Sequence, residues 1–407
     1  MSSEFVVGLD MGTTKVAVCV GEFTSEGETR IVGAGSAPAD GIARGVVVNM
    51  DQAADSVRAA VAQAERMAGV EIRGVCAGIS GPHIRSFNSR GVIAIPTSRR
   101  EVCARDVDKV TEAARSITLP FDRDIVHSIP QDFVVDNQAG IRDPVGMSAA
   151  RLEADVHIVT ALTMPLENML KVAKKIGLEI VDMVFDPVAA ARAVLTRDEM
   201  NMGCLVIDVG GAVTNWALYY GGTVRMSGVV AAGGANVTND LAVGLRTPVA
   251  VAEDLKTSHG VALASLAVED ETIMVPGANG REAREVRAQI LAAIIEPRCE
   301  EIFEMVKRSV CGDPFYRLLG AGVVLAGGGS ALRGMDGVAE EVFALPVRVG
   351  RAANLMGLSE LVDSSEWTTG IGLLLAGYDR IAERGGVGPA GRVRWMVNQV
   401  RKITSLL

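Results

Sequence analysis

The sequence predicts an α/β protein of two related lobes, carrying a small α+β insert and ending in a basic amphipathic helix. Three observations lead there. An apolar strand ending in aspartate and running into a glycine turn occurs twice, at Asp10 and at Asp208. Short apolar runs and segments of helical period alternate through most of the chain. The last 17 residues carry four positive side chains and no negative one. A length of 407 residues leaves room for two to four structural units of roughly 100–200 residues. With 49% hydrophobic and 22% charged residues, 45 Gly and 14 Pro, the composition excludes disordered, collagenous and fibrous classes. A net charge of −9 argues against a nucleic-acid partner.

Element by element, residues 5–10 form a strand that turns at Gly12-Thr13-Thr14-Lys15 into a second strand with Val16, Val18 and Val20. A helix is expected over 52–69, where Ala53, Val57, Ala60, Val61, Ala64 and Met67 recur at helical spacing, then a strand over 74–79. Residues 84–162 have a different texture: a strand at 91–96, a charged helix at 101–117, strands around 125–135 and another at 156–161. This is the small α+β insert. A helix at 165–176 and a strand at 178–184 resume the main rhythm. The second turn then appears, with 204–208 leading into Gly210-Gly211-Ala212-Val213-Thr214 and the strand 216–220.

Helices are expected at 237–243 and 251–258, and an extended segment at 268–276. A long charged helix follows over 281–310, burying Val286, Ile290, Ala293, Ile294 and Ile302. A strand at 321–326 meets Gly327-Gly328-Gly329-Ser330, which opens a helix to about residue 343. A last apolar helix at 369–381 runs into a Gly/Pro linker at 385–391. The expected units are 1–83 with 163–203, the insert 84–162, 204–240 with 311–384, a subdomain 241–310, the linker, and the terminal helix 392–407.

The six cysteines show no CxxC pair and mostly lie in apolar runs, so they read as reduced core residues. Four scattered histidines give no zinc-site spacing. The first ten residues lack the basic start of a signal peptide, and no window approaches the 18 apolar residues of a membrane span.

The two acidic turns carry the chemistry. A phosphate meeting the backbone closely needs glycine at the contact, free N–H donors, and hydroxyls such as those of Thr13 and Thr14; Lys15 adds a compact charge. Asp10 and Asp208, facing one another, would hold a hydrated Mg²⁺, which takes one or two carboxylates and keeps several waters. Either turn alone is more often a plain glycine hairpin; the repetition favours phosphate. The glycine spacing excludes a P-loop, and no G-x-G-x-x-G follows a strand. Glycine in the third turn, at 327–329, serves either a ligand or simple packing.

Residues 8–20, 206–218, 232–240, 325–334 and 369–377 resemble, in order, the phosphate-1, phosphate-2, connecting, adenosine and second connecting motifs of the actin, heat-shock-chaperone and sugar-kinase ATPase superfamily. Within it the chain resembles the FtsA family of actin-like bacterial division proteins, in Gly78-Ile79-Ser80-Gly81, in 189–196, in 252–256 with His259-Gly260, and in Glu296-Pro297-Arg298. The resemblance implies an actin-like two-lobed ATPase fold of duplicated ribonuclease-H-like domains, with the insert as the family's 1C subdomain.

It also implies ATP and Mg²⁺ as ligands. Asp10 and Asp208 would organise the metal, and Gly12, Thr13, Thr14, Lys15, Gly210 and Gly211 would contact phosphates. Thr214 and Gly234 belong to the same cofactor set, while Glu253 and Lys256 would reach the ribose and base edge opposite Gly328, Gly329 and Ser330. The second turn departs from the family's G-G-G-T-x-D: the Ala212 methyl narrows the phosphate approach and Asn215 removes a negative charge. Nucleotide binding is therefore expected ahead of hydrolysis, and the protein is a scaffold more than an enzyme.

Further implied are filaments of the chain itself, the FtsZ C-terminal peptide bound on the subdomain of Arg287 and Arg298, and later division proteins recruited through the insert. The place is the inner face of the cytoplasmic membrane at the division site. A PilM-type pilus-assembly ATPase and a small-molecule kinase of the superfamily are the alternatives.

In the tail, Val393, Met396, Val397, Val400, Ile403 and Leu407 form one stripe at 100° per residue, with Arg392, Arg394, Arg401 and Lys402 off it and Trp395 on the other side. One-signed charge beside an apolar stripe suits anionic lipid, at about 1 kcal/mol per basic residue. The alternative is a helix docked on its own domain.

Overall fold

The computed structural model describes residues 4–23, 29–277, 282–353, 355–358 and 362–383. Two sheets of matching topology organise it. In the first, strands Glu4–Met11, Lys15–Phe23 and Thr29–Pro38 form an antiparallel meander. Gly74–Ile79 and then Glu179–Phe185 add in parallel on the other side of the first strand. In the second sheet, Cys204–Val209, Thr214–Tyr220 and Thr223–Val230 repeat the meander, and Val323–Ala326 and Val347–Val349 repeat the parallel pair. The first sheet has one more strand, Leu355–Gly357, beside Thr29–Pro38.

Alternation along each strand divides its side chains between two cores. Val7, Leu9, Val16 and Val18 pack under helices Met50–Ala68 and Thr163–Lys175. Val6, Ala17 and Cys19 instead meet Cys204, Val206 and Ala217 of the second lobe in a shared core. Two helices fill that middle layer, Asp186–Val194 and Thr368–Glu383, contributing Ala191, Val194, Ile371 and Leu374. Glycine sets their spacing: a Cβ on Gly8 would lie 2.3 Å from the Gly370 carbonyl oxygen, and one on Gly372 only 1.8 Å from that of Ala189.

The insert is a four-stranded antiparallel sheet in the order Arg85–Ala94, Arg151–Leu162, Arg123–Val135, Gln138–Ile141, backed by helix Ala104–Arg115. Phe133, Leu152, Val156 and Ile158 with Val110 and Ala114 form its own core. It leaves the chain from the first lobe and docks on Thr223–Val230, the edge strand of the second sheet. That seam is polar. Gln131 donates to the carbonyls of Val224 and Arg225 at 2.8 and 3.0 Å, and Asn88 donates to Arg225 O at 3.2 Å. The buried His157 lies between Asn88 and Ser227, and Arg225 pairs with Asp132. Burial pushes the His157 imidazole down to about 3, so it sits in the seam neutral.

Three sequence expectations are corrected here. The long helix begins at Ala288, because Arg284–Arg287 pairs with Thr272–Val275 as a hairpin that buries Val286. Its buried stripe is Leu291, Ile295, Cys299, Ile302, Phe303 and Val306, whereas Ile290 and Ala293 face solvent; a helical phase anchored on a strand residue is carried round the wheel. The turn at Gly327 leads into a 3₁₀ turn, Gly328–Ala331, and the α-helix starts only at Met335. Cys103 is half-buried and Cys311 exposed, so only four of the six free cysteines are core residues.

Among the described residues no helix is long and apolar enough to cross a membrane. The linker 385–391 and the tail residues Arg392 to Leu407 lie outside the described residues.

Candidate functional site

Duplicated sheets bring the two acidic hairpins tip to tip. Gly211 faces Thr14 so closely that a Cβ there would sit 2.3 Å from the threonine hydroxyl. A cleft of about 580 Å³ opens beside them, between the lobes. The first turn presents Asp10 and Gly12 to Lys15, the second Asp208, Gly210 and Gly211. Helix Gly234–Leu245 starts directly on the second turn: the Gly234 and Ala235 amides donate to the carbonyls of Gly210 and Gly211 at 2.9 and 2.6 Å. Glu253 and Lys256 line the other wall, where Lys256 Nζ donates to Glu253 at 2.7 Å, Thr238 at 2.9 Å and Gly234 O at 3.3 Å. Gly328 and Gly329 close the cleft from the third turn. Gly327 is required at φ 79°, where a Cβ would strike Asp208 Oδ1 at 2.3 Å.

Several expected ligands stand differently. Thr214 is fully buried and donates to Ala232 O at 2.8 Å; Ser330 is buried and donates to Gly327 O at 2.7 Å. Neither lines the cleft, since both hydroxyls are spent bracing their own turns. Ala212 is not among the lining residues either. The Gly234 amide is committed to Gly210 O, which leaves that glycine close approach as its contribution. Lys15 is held 3.1 Å from Glu366 and 4.4 Å over the Trp367 ring. On the subdomain, Arg287 is exposed, but Arg298 forks onto Asp240 at 2.6 and 3.1 Å and also pairs with Glu301. Its charge joins helices Gly234–Leu245 and Ala288–Val310.

The floor holds a third carboxylate, Asp186, at the start of the helix Asp186–Val194. Burial, then the Asp208 charge, pushes Asp10 up to about 7 against the opposing pull of Lys15. Burial raises Asp208 to about 6, although hydrogen bonds from Asn215 and Thr369 pull the other way. Burial and the charges of Asp10 and Asp208 hold Asp186 well above the carboxylate range, with the Ser80 hydroxyl against it. One Asp186 oxygen is buried with no partner. Three acids that resist ionising together are what a divalent cation relieves. Among the described residues no three ligand-type side chains converge on one point.

The sign of the coupling gives a prediction. Between its ordinary 3.8 and about 7 the folded chain keeps the Asp10 proton that the unfolded chain loses, so that contribution to stability falls as pH rises through this window. Without metal, Asp10→Asn should therefore gain melting temperature over the wild type steadily from pH 4 to 7, and added Mg²⁺ should erase the trend. A flat difference across that range would refute the coupling.

Asp186 escaped the sequence reading, which met Asn215 only as a missing charge and Ser80 only as part of a motif, neither as a side chain of the cleft. The available signal was an aspartate closing the strand 178–184, the same feature that marked Asp10 and Asp208, but with a helix behind it in place of a glycine turn.

Known proteins bear on the family and the fold. Residues 81–160 match the SHS2 domain inserted in FTSA, and residues 205–372 match Cell division protein FtsA. The chain is 41% identical over 379 residues to Cell division protein FtsA of Pseudomonas aeruginosa, covering 93% of this chain and 90% of that one. Among solved structures it is similar to the PilM-PilN type IV pilus biogenesis complex, at TM-score 0.64 and 17% identity over 91% of this chain and 98% of that one. It is also similar to MreB5 of Spiroplasma citri bound to ADP, at TM-score 0.54 and 15% identity over 94% and 97%. At such identities the structural likenesses carry the actin-like two-lobed fold alone. The sequence identity carries more: the chain belongs to the FtsA family of cell division proteins.

Proposed function

We propose that this chain binds Mg-ATP between its lobes and polymerises on the cytoplasmic face of the cell membrane at the division site. There it tethers the FtsZ ring through the FtsZ C-terminal peptide and recruits later division proteins through the insert. The observation that carries the reading is the pair of acidic glycine hairpins meeting over three buried carboxylates that resist ionising together. Gly12, Thr13, Thr14, Lys15, Gly210 and Gly211 would cradle the phosphates, with Asp10 and Asp208 holding the hydrated metal. Glu253, Lys256, Gly328 and Gly329 would flank the nucleoside. Mg²⁺ would supply charge neutralisation at the phosphates.

Two neighbours of the same fold support the wider reading by what they are: the MreB5 structures hold ADP and AMPPNP, and MamK forms a double helical filament. Asn215 in place of an acid leaves the second turn one carboxylate short, so the protein acts as a nucleotide-gated scaffold ahead of a catalyst.

Membrane attachment is assigned to Arg392, Val393, Arg394, Trp395, Met396, Val397, Val400, Arg401, Lys402, Ile403 and Leu407. Four basic residues at about 1 kcal/mol each predict about a thousandfold loss of affinity for anionic vesicles when 391–407 is deleted. Filament avidity would amplify the loss. Co-sedimentation with anionic liposomes measures it, and an unchanged bound fraction refutes the anchor. Fluorescently tagged protein forming a mid-cell band in dividing cells, lost with the tail, tests the whole assignment.

A further inference from the structure

Asn215 is where this chain leaves the acidic pattern of the second turn, and its side chain is buried between the lobes. Nδ2 donates to Asp208 Oδ2 at 3.2 Å, and Oδ1 accepts from the Ser80 hydroxyl at 2.9 Å. The chemistry fixes the orientation of the amide. A carboxylate offers Asn215 only acceptors, so the NH₂ must face Asp208 and the carbonyl is left for the serine O–H. Ser80 follows the first-lobe strand Gly74–Ile79 and lines the cleft, whereas Asn215 and Asp208 sit opposite one another on adjacent second-lobe strands. The Ser80 bond therefore crosses between lobes.

We propose that Asn215 and Ser80 form a cross-lobe latch that positions Asp208 and slows escape of the bound nucleotide. This rests on the nucleotide reading of the cleft. An amide suits the task because it gives one hydrogen bond and takes one. Aspartate at 215 would still accept from Ser80 but would set a second carboxylate against Asp208, and alanine would do neither. Ser80 is also the root of the insert: Ser86, six residues on, donates to Ser227 O of the second lobe, so the latch and the insert seam hold the same two bodies together. Asn215 and Ser80 are positioning residues, since they act through Asp208 and through the closure of the lobes.

The test is release of a fluorescent ATP analogue, mant-ATP, from the full-length protein with Mg²⁺, followed by stopped-flow, beside melting of the nucleotide-free protein. Ser80→Ala and Asn215→Ala should each speed release about tenfold. The double variant should be no faster than Asn215→Ala, because the Ser80 hydrogen bond is already lost in Asn215→Ala. Ser80→Thr, which restores the hydroxyl, should release near the wild-type rate. Ser80→Ala should melt near the wild type, since Ser80 is only half-buried, whereas Asn215→Ala, at a buried amide bonded at both ends, should melt lower. Unchanged release, or two accelerations that multiply, overturns the latch while leaving the nucleotide site standing. A wild type that does not bind mant-ATP at all overturns the site and the latch together.

Discussion

Replacing Asp208 by alanine is expected to weaken Mg-ATP binding about a hundredfold by calorimetry, the largest ligand effect of any single change in the cleft. Asp208 lies one residue before the end of its strand, hydrogen-bonded by Asn215 and Thr369. An alanine removes an oriented charge, about 2–3 kcal/mol for a charge-assisted interaction. The sign separates a metal role from a packing role. In metal-free buffer the same change takes a carboxylate away from an anionic ligand, so the affinity for free ATP should rise. A variant that loses both affinities equally is merely misfolded at the turn. One that keeps its Mg-ATP affinity excludes Asp208 from the metal site.

The largest stability effect belongs to Gly372→Val. The helix Thr368–Glu383 crosses Asp186–Val194 at this glycine, and the new Cβ would meet the backbone carbonyl of Ala189 at 1.8 Å. Backbone cannot rotate aside as a side chain can, so the two helices must part and the shared core around Ile371 and Leu374 must open. A cost of at least about 4 kcal/mol follows, seen as a fall in melting temperature of roughly 10 °C or as insoluble protein. Gly312→Ala is the control: nothing lies within 4 Å of a Cβ there, and its melting should stay within about a degree. Equal melting of Gly372→Val and wild type would mean that the helices do not cross as described.

How much of this was legible depends on whether a residue's role is set locally. Asp10 and Asp208 could be found because a strand end, an acid and a glycine turn lie within a few positions, and because the pattern occurs twice. The shared topology of the two sheets follows from that repeat. Asp186 joins the same cluster but only through the crossing of helix and sheet, which no short window contains. Thr214 and Ser330 show the opposite failure: a hydroxyl in a glycine turn can face a ligand or brace its own backbone, and the sequence is the same in both cases. In helix Ala288–Val310, taking Val286 as the first buried residue of a helix over 281–310 rotated the predicted face; that residue's burial belongs to period two, not to 3.6. Arg298 reads as a free cation in one dimension, and only the fold shows Asp240 beneath it.

The insert's seat on Thr223–Val230 bears on how its proposed role in recruitment can be tested. Gln131, Asn88 and Ser86 satisfy carbonyls of a strand that would otherwise end its sheet with bare peptide groups. Cutting the insert out would strip a dressing from a raw border and invite the protein to zip onto its own copies. A division defect in such a deletion would report stickiness before it reported a missing partner. Point changes on the insert's outward face are the cleaner instrument.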